Sequence, residues 1–426
     1  MYLQTTIIEQ INARKILDSR GDFTIEVEVF TTEGYGRSAA PAGASRGLHE
    51  VVAFPEGGIE AAIKAVNDLV APELIGVDAA DQNEVDQILH LVDGTENFSK
   101  IGGATALALS MASAKAAASA LGVPLYRHLG GANVKTLPYP VGNVLGGGKH
   151  VKGLAQDIQE VLVIPVGARS FVEAALINVK VHKELARLIP KVFSGFLGGK
   201  GDEGAWVASL SSYEALQLVK DACVLVEDDV KCEVKIGIDL AASSLWDPEK
   251  RLYVYRRDGR LRSSEDQYQY VVELVEKYGL AYVEDPFHEE DFENFAKLTK
   301  DVKNCLIVGD DLYVTNIKRL KEGVKIRASN GVIIKPNQVG TLSDAFNALQ
   351  YAKDNGYVTV ISHRSGETED ETIAHLAVAW SSPLIKTGVI GGERTVKLNE
   401  LIRIEEELKG RAVMSRRFIS VIGGEL

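Results

Sequence analysis

Six side chains able to bind a metal, move a proton or hold an anion each follow a short apolar run in the second half of this chain. Residues 235–238 lead to Asp239, 280–283 to Glu284, 306–309 to Asp310, 331–334 to Lys335, 359–362 to His363 and 383–385 to Lys386. Asp239, Glu284 and Asp310 are hard oxygen donors with no cysteine among them, a set that suits Mg²⁺ better than zinc or copper. Taken singly, each acid reads as a helix cap or a salt-bridge partner; at successive strand ends, convergence on a cation is the better reading. Lys335 is a candidate proton acceptor, because burial and a nearby dication both favour the neutral amine. A structural lysine paired with one of the acids explains it equally well. His363-Arg364-Ser365-Gly366 joins a planar cation to a hydroxyl, which suits phosphate, and Lys386 is placed to neutralise the same substrate from the next strand.

Elements at regular intervals must position these groups. After a longer first interval the six endpoints lie 23–28 residues apart, room for one strand, one helix and two short loops, as in successive βα units of a barrel. All six then face one rim. Residues 137–145 and 160–165 read as the opening strands, and helices are expected at 171–188, 212–226, 264–278, 342–355 and 396–408. Residues 195–204 form a glycine-rich loop, where Gly198, Gly199, Gly201 and Gly204 let the backbone approach a ligand and leave Glu203 to act opposite Lys335. Gly146-Gly147-Gly148-Lys149 and Gly198-Gly199-Lys200 lack the spacing of a nucleotide-binding phosphate loop.

The first third has another texture. Residues 24–30 alternate apolar and polar, as in a half-buried antiparallel strand, with 7–16 as a neighbour. Residues 59–70 and 85–92 have helical spacing, and alanine-rich 104–121 is suited to close packing. The expectation is an α+β domain over residues 1–135, leaving through Gly130-Gly131-Ala132-Asn133, and a catalytic barrel over 136–426.

The 426 residues are 46% hydrophobic and 25% charged, ordinary for a soluble globular enzyme. A net charge of -12 argues against nucleic acid and acidic membranes as partners. Cys223, Cys232 and Cys305, odd in number and widely spaced, read as buried free thiols of a reducing compartment. With no basic, apolar leader and no run approaching the roughly 18 apolar residues of a membrane span, a cytoplasmic location is expected.

Ordered motifs along the whole chain resemble the enolase family. They are Asp18-Ser19-Arg20-Gly21, Gly43-Ala44-Ser45 with His49-Glu50, Gly201-Asp202-Glu203-Gly204, Glu284-Asp285-Pro286-Phe287, Asp310-Asp311-Leu312 with Val314-Thr315-Asn316, Lys335-Pro336-Asn337-Gln338 with Gly340-Thr341-Leu342, and the run from Ser362 to Asp370. The resemblance implies an α/β protein: an N-terminal α+β domain, with antiparallel sheet and helices, before a modified TIM barrel whose opening strands leave simple βα alternation. It implies a hydro-lyase with phosphopyruvate hydratase activity, the reversible loss of water from 2-phospho-D-glycerate to give phosphoenolpyruvate in glycolysis and gluconeogenesis. Two Mg²⁺ per site are implied, the second arriving with substrate. Asp239, Glu284 and Asp310 match the ligands of the first, and Ser45 matches a ligand of the second. Lys335 matches the base, Glu203 the general acid, and Glu160 and His150 supporting groups. Arg364 and Ser365 match phosphate ligands, while Gln159, His363 and Lys386 match other residues of the substrate site. A homodimer or higher homo-oligomer is implied as well.

The chain departs from the family pattern at Asp22-Phe23, Gly146, Ala205 to Ser209 and Gly391-Gly392. Trp206, three residues after Glu203, is expected to reshape the pocket. Two other functions fit a retained core with altered loops: a divergent paralogue acting on another phosphorylated hydroxy acid, and a non-catalytic binding protein on the same fold.

Overall fold

A computed structural model of the chain describes residues 5–43, 47–151, 153 and 155–424. Strands β1 (Ile8–Leu17), β2 (Phe23–Thr31) and β3 (Tyr35–Ala39) form an antiparallel meander in that order. Ile25, Val27 and Val29 alternate onto its buried face, the period-two pattern of a sheet covered on one side. Helix α1 (Gly58–Ala65) continues through a π-turn at Val66–Val70 into Ala71–Leu74, so the helix expected at 59–70 exists with irregular winding. Helix α2 (Gln82–Asp93) starts where the Asp81 side chain accepts from the Glu84 N–H and ends at left-handed Gly94, a capped start and a glycine stop.

Helix α3 (Gly103–Ala120) is the wall between two cores. Leu107, Met111, Ala114 and Ala118 belong to the barrel core, while Ala108, Leu109, Ala112 and Ala116 belong to the N-terminal core. A helix buried on both faces needs no polar stripe, and its small side chains let neighbours come close. The approach is closest at β3, where a Cβ on Gly36 would lie 2.0 Å from the Ala112 carbonyl oxygen.

Eight strands close the barrel: β4 (Tyr139–Gly146), β5 (Glu160–Ile164), β6 (Lys235–Asp239), β7 (Tyr282–Glu284), β8 (Leu306–Gly309), β9 (Gly331–Ile334), β10 (Val358–Ser362) and β11 (Leu384–Lys386). Neighbours run parallel except β5, which is antiparallel to both β4 and β6. This reversal is the expected departure from simple alternation. Among the described residues only a 3₁₀ turn at Gly148–His150 lies between β4 and β5, whereas helices α4 (Phe171–Val192) and α5 (Ser212–Val230) both intervene before β6. The long first interval is explained by a small antiparallel sheet of Trp246–Asp247, Leu252–Tyr255 and Arg260–Arg262 inserted ahead of helix α6 (Ser264–Tyr278).

Helices α7 (Phe292–Asp301), α8 (Ile317–Ile326), α9 (Leu342–Asp354), α10 (Thr372–Ala379) and α11 (Gly392–Glu407) complete the outer layer. The sequence reading missed α7, α8 and α10. Every residue of α10 is buried, so it has no polar face for periodicity to reveal. The strand expected at 137–145 is divided: Thr136–Leu137 pairs with Val413–Met414, and the barrel strand begins after Pro138, which has no N–H to give a ladder. All three cysteines are free and buried. Among the described residues no helix is long and apolar enough to cross a membrane.

The Gly36 contact yields a stability test. Gly36→Val must push β3 away from α3, and overpacking of this kind costs about 1–3 kcal/mol. The urea midpoint of the variant is expected to fall; an unchanged midpoint would mean that the approach is not tight.

Candidate active site

Register puts three carboxylates side by side. Glu160 pairs with Asp239, and Asp239 with Glu284, on adjacent strands β5, β6 and β7. Because β5 runs backwards, its first residue reaches the rim where the other strands end. The Lys386 ammonium lies among the three, 2.9 Å from Glu160 Oε2, 3.1 Å from Asp239 Oδ2 and 2.9 Å from Glu284 Oε1. All four side chains are buried. Burial, then Asp239, push the Glu284 carboxyl up to about 8 against the pull of Lys386. Burial and Glu203 raise Glu160 well above the usual range. The Tyr282 hydroxyl donates to Glu284 at 2.6 Å, the Ala241 N–H to Asp239 at 2.8 Å, and the Gln159 amide lies 3.4 Å from Asp239.

Asp310 and Lys335 form an ion pair on the next part of the rim. Gln338 donates to Asp310 at 3.0 Å, and Asp285 accepts from the backbone of Asp310 and Asp311 at 2.9 and 2.8 Å. Burial is the largest single influence on the Lys335 amine and pulls its pKa down, yet with Asp310 and then Glu284 pulling the other way the amine ends above its ordinary value. This ion pair is the structural pairing weighed for Lys335 in the sequence, and in this arrangement it favours the charged amine. The three expected metal ligands share the rim but divide between two lysines: Asp239 and Glu284 hold Lys386, and Asp310 holds Lys335. Among the described residues, the side chains close enough to share an ion are His150, Glu160 and Glu203, and Asp285, Asp310 and Asp311, each set with ligand atoms within 4.8 Å of one another.

Glu203 stands on the loop expected to bring it in. Asn143 Nδ2 donates to its Oε2 at 3.1 Å, aided by a bulge in β4 between Asn143 and Leu145, a device that re-aims side chains. His363 Nε2 lies 3.4 Å from Oε2 and His150 Nε2 3.9 Å from Oε1, while His150 Nδ1 is 3.5 Å from Glu160. Burial would raise the Glu203 pKa, yet His363 and His150 hold it well below the carboxylate range. In this arrangement the two histidines favour the charged form of Glu203, while burial and the neighbouring acids favour the neutral form of Glu160.

The loop is fixed at Gly204, whose φ of +77 leaves a Cβ only 2.2 Å from the Ile390 carbonyl oxygen. His182 meets the Gly204 carbonyl at 2.9 Å, and Trp206 Nε1 donates to the His182 carbonyl at 2.7 Å with the rings stacked at 4.6 Å. Trp206 thus packs on α4 and does not line the pocket, which corrects the expectation drawn from its distance in sequence. His182 is buried, and desolvation pushes it down to about 4.

Arg364 extends over the remaining side. Its guanidinium meets Glu50 at 3.0 and 3.1 Å and Asn337 at 3.1 Å. Ser365 and Gln159 line the same cavity of about 30 Å³, which the two lysines narrow. Ser45 lies outside the described residues. Sequence reading passed over Asn143, Asn337, Gln338 and Asp311 as site residues, and treated Glu50 only as part of a motif. Asn143 gave no signal, because a bulge aims it.

Two family profiles match the chain: "Enolase, N-terminal domain" over residues 8–129 and "Enolase, C-terminal TIM barrel domain" over 134–419. The enolase of Methanothermobacter thermautotrophicus is 54% identical over 404 residues, covering 95% of this chain and 97% of that protein. The enolase of Methanosphaera stadtmanae is 52% identical, covering 95% and 98%, and that of Pyrobaculum aerophilum 51% identical, covering 93% and 95%.

The raised Glu284 carboxyl has a consequence for stability. Its folded value of about 8 exceeds the roughly 4.3 of an unfolded glutamate, so the folded state binds the extra proton between them. Stability from this group is full below about 4.3 and is lost as pH rises towards about 8. In metal-free buffer Glu284→Gln should gain stability relative to wild type as pH rises through that window. A flat difference in urea midpoints would mean that Glu284 titrates like an ordinary carboxyl.

Proposed function

The chain belongs to the enolase family and is a lyase interconverting 2-phospho-D-glycerate with phosphoenolpyruvate and water; we propose that the barrel rim described above is its active site. The observation that carries this reading is one small polar cavity bounded by Lys335, Lys386, Glu203, Arg364, Glu160, Asp239 and Asp310. Its place is in glycolysis and gluconeogenesis, in the cytoplasm, as a homodimer or higher homo-oligomer. Residues 1–135 cap the site and 136–426 form the catalytic barrel.

The donor chemistry fits Mg²⁺. Asp239, Glu284 and Asp310 are oxygen ligands without sulfur, and burial, then the neighbouring Asp239, push Glu284 up to about 8, a state that added positive charge would relieve. These three would hold the first ion, and Ser45 would help to hold a second. Bound there, Mg²⁺ supplies electrostatic stabilisation for the charge that builds on the substrate carboxylate.

The residues of the chain do the rest. Lys335 takes the proton from C2; a lysine base working beside Mg²⁺ is the established chemistry of this superfamily. Its ion pair with Asp310 keeps the amine charged until that carboxylate is engaged elsewhere. Glu203 delivers a proton to the departing hydroxyl from the other side, and the negative charge of the substrate favours the protonated acid there. His150 and Glu160 support it. Arg364 offers a planar pair of N–H donors to phosphate, for which Glu50 competes, and Ser365 adds a hydroxyl. Gln159 and His363 line the site, and Lys386 neutralises the carboxylate end of the substrate.

The deciding experiment measures phosphoenolpyruvate formation from 2-phosphoglycerate with Mg²⁺. Chelation should abolish it reversibly, and an unphosphorylated hydroxy acid should react far more slowly; turnover that survives chelation would overturn the metal assignment. Lys335→Ala should slow turnover by roughly 10² to 10⁴ and stop exchange of the C2 proton with solvent. Exchange at the normal rate in that variant would remove Lys335 from the role of base.

A further inference from the structure

Helix α11 places two fully buried cations, Arg394 and Lys397, beneath the segment that carries His363, Arg364 and Ser365. Lys397 donates to Glu367 at 2.8 Å and to the Thr368 carbonyl at 2.7 Å, and Glu367 in turn accepts from the Arg364 N–H at 3.0 Å. Arg394 reaches further. It donates to His363 Nδ1 at 2.7 Å, to the carbonyls of Arg364 and Ser365 at 2.6 Å each, and to the Asp202 carbonyl at 3.0 Å. One guanidinium therefore ties the phosphate-facing segment to the loop that carries Glu203.

A guanidinium has donors only and keeps its proton in proteins, so His363 Nδ1 must accept. The one ring proton of neutral imidazole is then on Nε2, the nitrogen that faces Glu203 Oε2 at 3.4 Å and has no other partner among the described residues. Asn143 already donates to that same oxygen. Two donors on Oε2 leave Oε1 as the oxygen on which a transferable proton can sit. Desolvation, which pushes His363 down to about 4, agrees with a neutral ring.

We infer that Arg394 is a positioning residue of the dehydration reaction: it fixes His363 as the Nε2–H tautomer, directs that N–H at Glu203 Oε2 and so assigns the acidic proton of Glu203 to Oε1. This rests on the reading of Glu203 as the general acid. A lysine at 394 could not span acceptors on two separate segments, because its donors radiate from one nitrogen.

The test is made on the whole protein with ¹⁵N-labelled histidine, recording long-range ¹H–¹⁵N correlations at neutral pH, with the His363 signals assigned by their loss in His363→Asn. The expected spectrum is that of a neutral Nε2–H ring. An Nδ1–H ring or an imidazolium in the wild-type protein would overturn the inference, and this measurement needs no Arg394 variant to fold. In Arg394→Lys the His363 tautomer should become mixed while kcat falls about 10²-fold, the scale of a misplacement of about 1 Å, with KM changed much less. Partial recovery of kcat in Arg394→Ala by added guanidinium ion would support the role; a His363 spectrum unaltered in Arg394→Lys would overturn it. If the wild-type protein makes no phosphoenolpyruvate, the functional reading fails while the tautomer measurement still stands, so the two failures are distinguishable.

Discussion

The ammonium of Lys386 among Glu160, Asp239 and Glu284 is the interaction around which the barrel rim is organised. Three carboxylates on neighbouring strands would repel one another in a region without water, and burial makes that repulsion worse. Lys386 arrives from β11, on the far side of β4 from β5, so its three ion pairs also join strands that are not neighbours. Even so, one cation does not compensate three acids. Burial and the neighbouring acids keep Glu160 and Glu284 raised despite Lys386, a balance that further positive charge would relieve.

Neighbouring charge also separates two acids that burial alone would treat alike. Glu203 and Glu160 are buried acids close to the same histidine, yet their carboxyls move in opposite directions. Glu203 has His363 and His150 facing it, whereas Glu160 meets Glu203, Asp239 and Glu284 as well as Lys386. Environment assigns different protonation to two identical side chains, and a new anion in the cavity shifts the balance towards protonating Glu203.

Much of this was legible in sequence because strands advertise their ends. Period and spacing located the six rim residues, and each does sit at or next to the end of a barrel strand. The alanine-rich run announced a closely packed helix, and α3 is one. What spacing could not supply was contact between distant segments. Trp206 lies three residues from Glu203 but turns towards His182, because a loop reverses direction freely where Gly204 has a positive φ. Arg394 looks like a surface arginine at the start of a helix until the fold lays the carbonyls of Arg364 and Ser365 across it. The helix α10 was hidden for the opposite reason, since a segment buried all round has no contrast between faces.

The reversed strand β5 leaves both ends of residues 147–159 on the catalytic rim, at Gly146 and Glu160, which are partners in register. In an ordinary βα unit the chain leaves the rim once and must return through a helix on the outside. Here it leaves and re-enters at neighbouring points, so this connection is a closed loop whose length is not tied to the height of the barrel. Loop-closure entropy grows only as the logarithm of length, about 0.6 kcal/mol per doubling. Evolution can therefore lengthen or shorten the stretch between His150 and Gln159 while the strand pairing that aligns Glu160 with Asp239 stays in place.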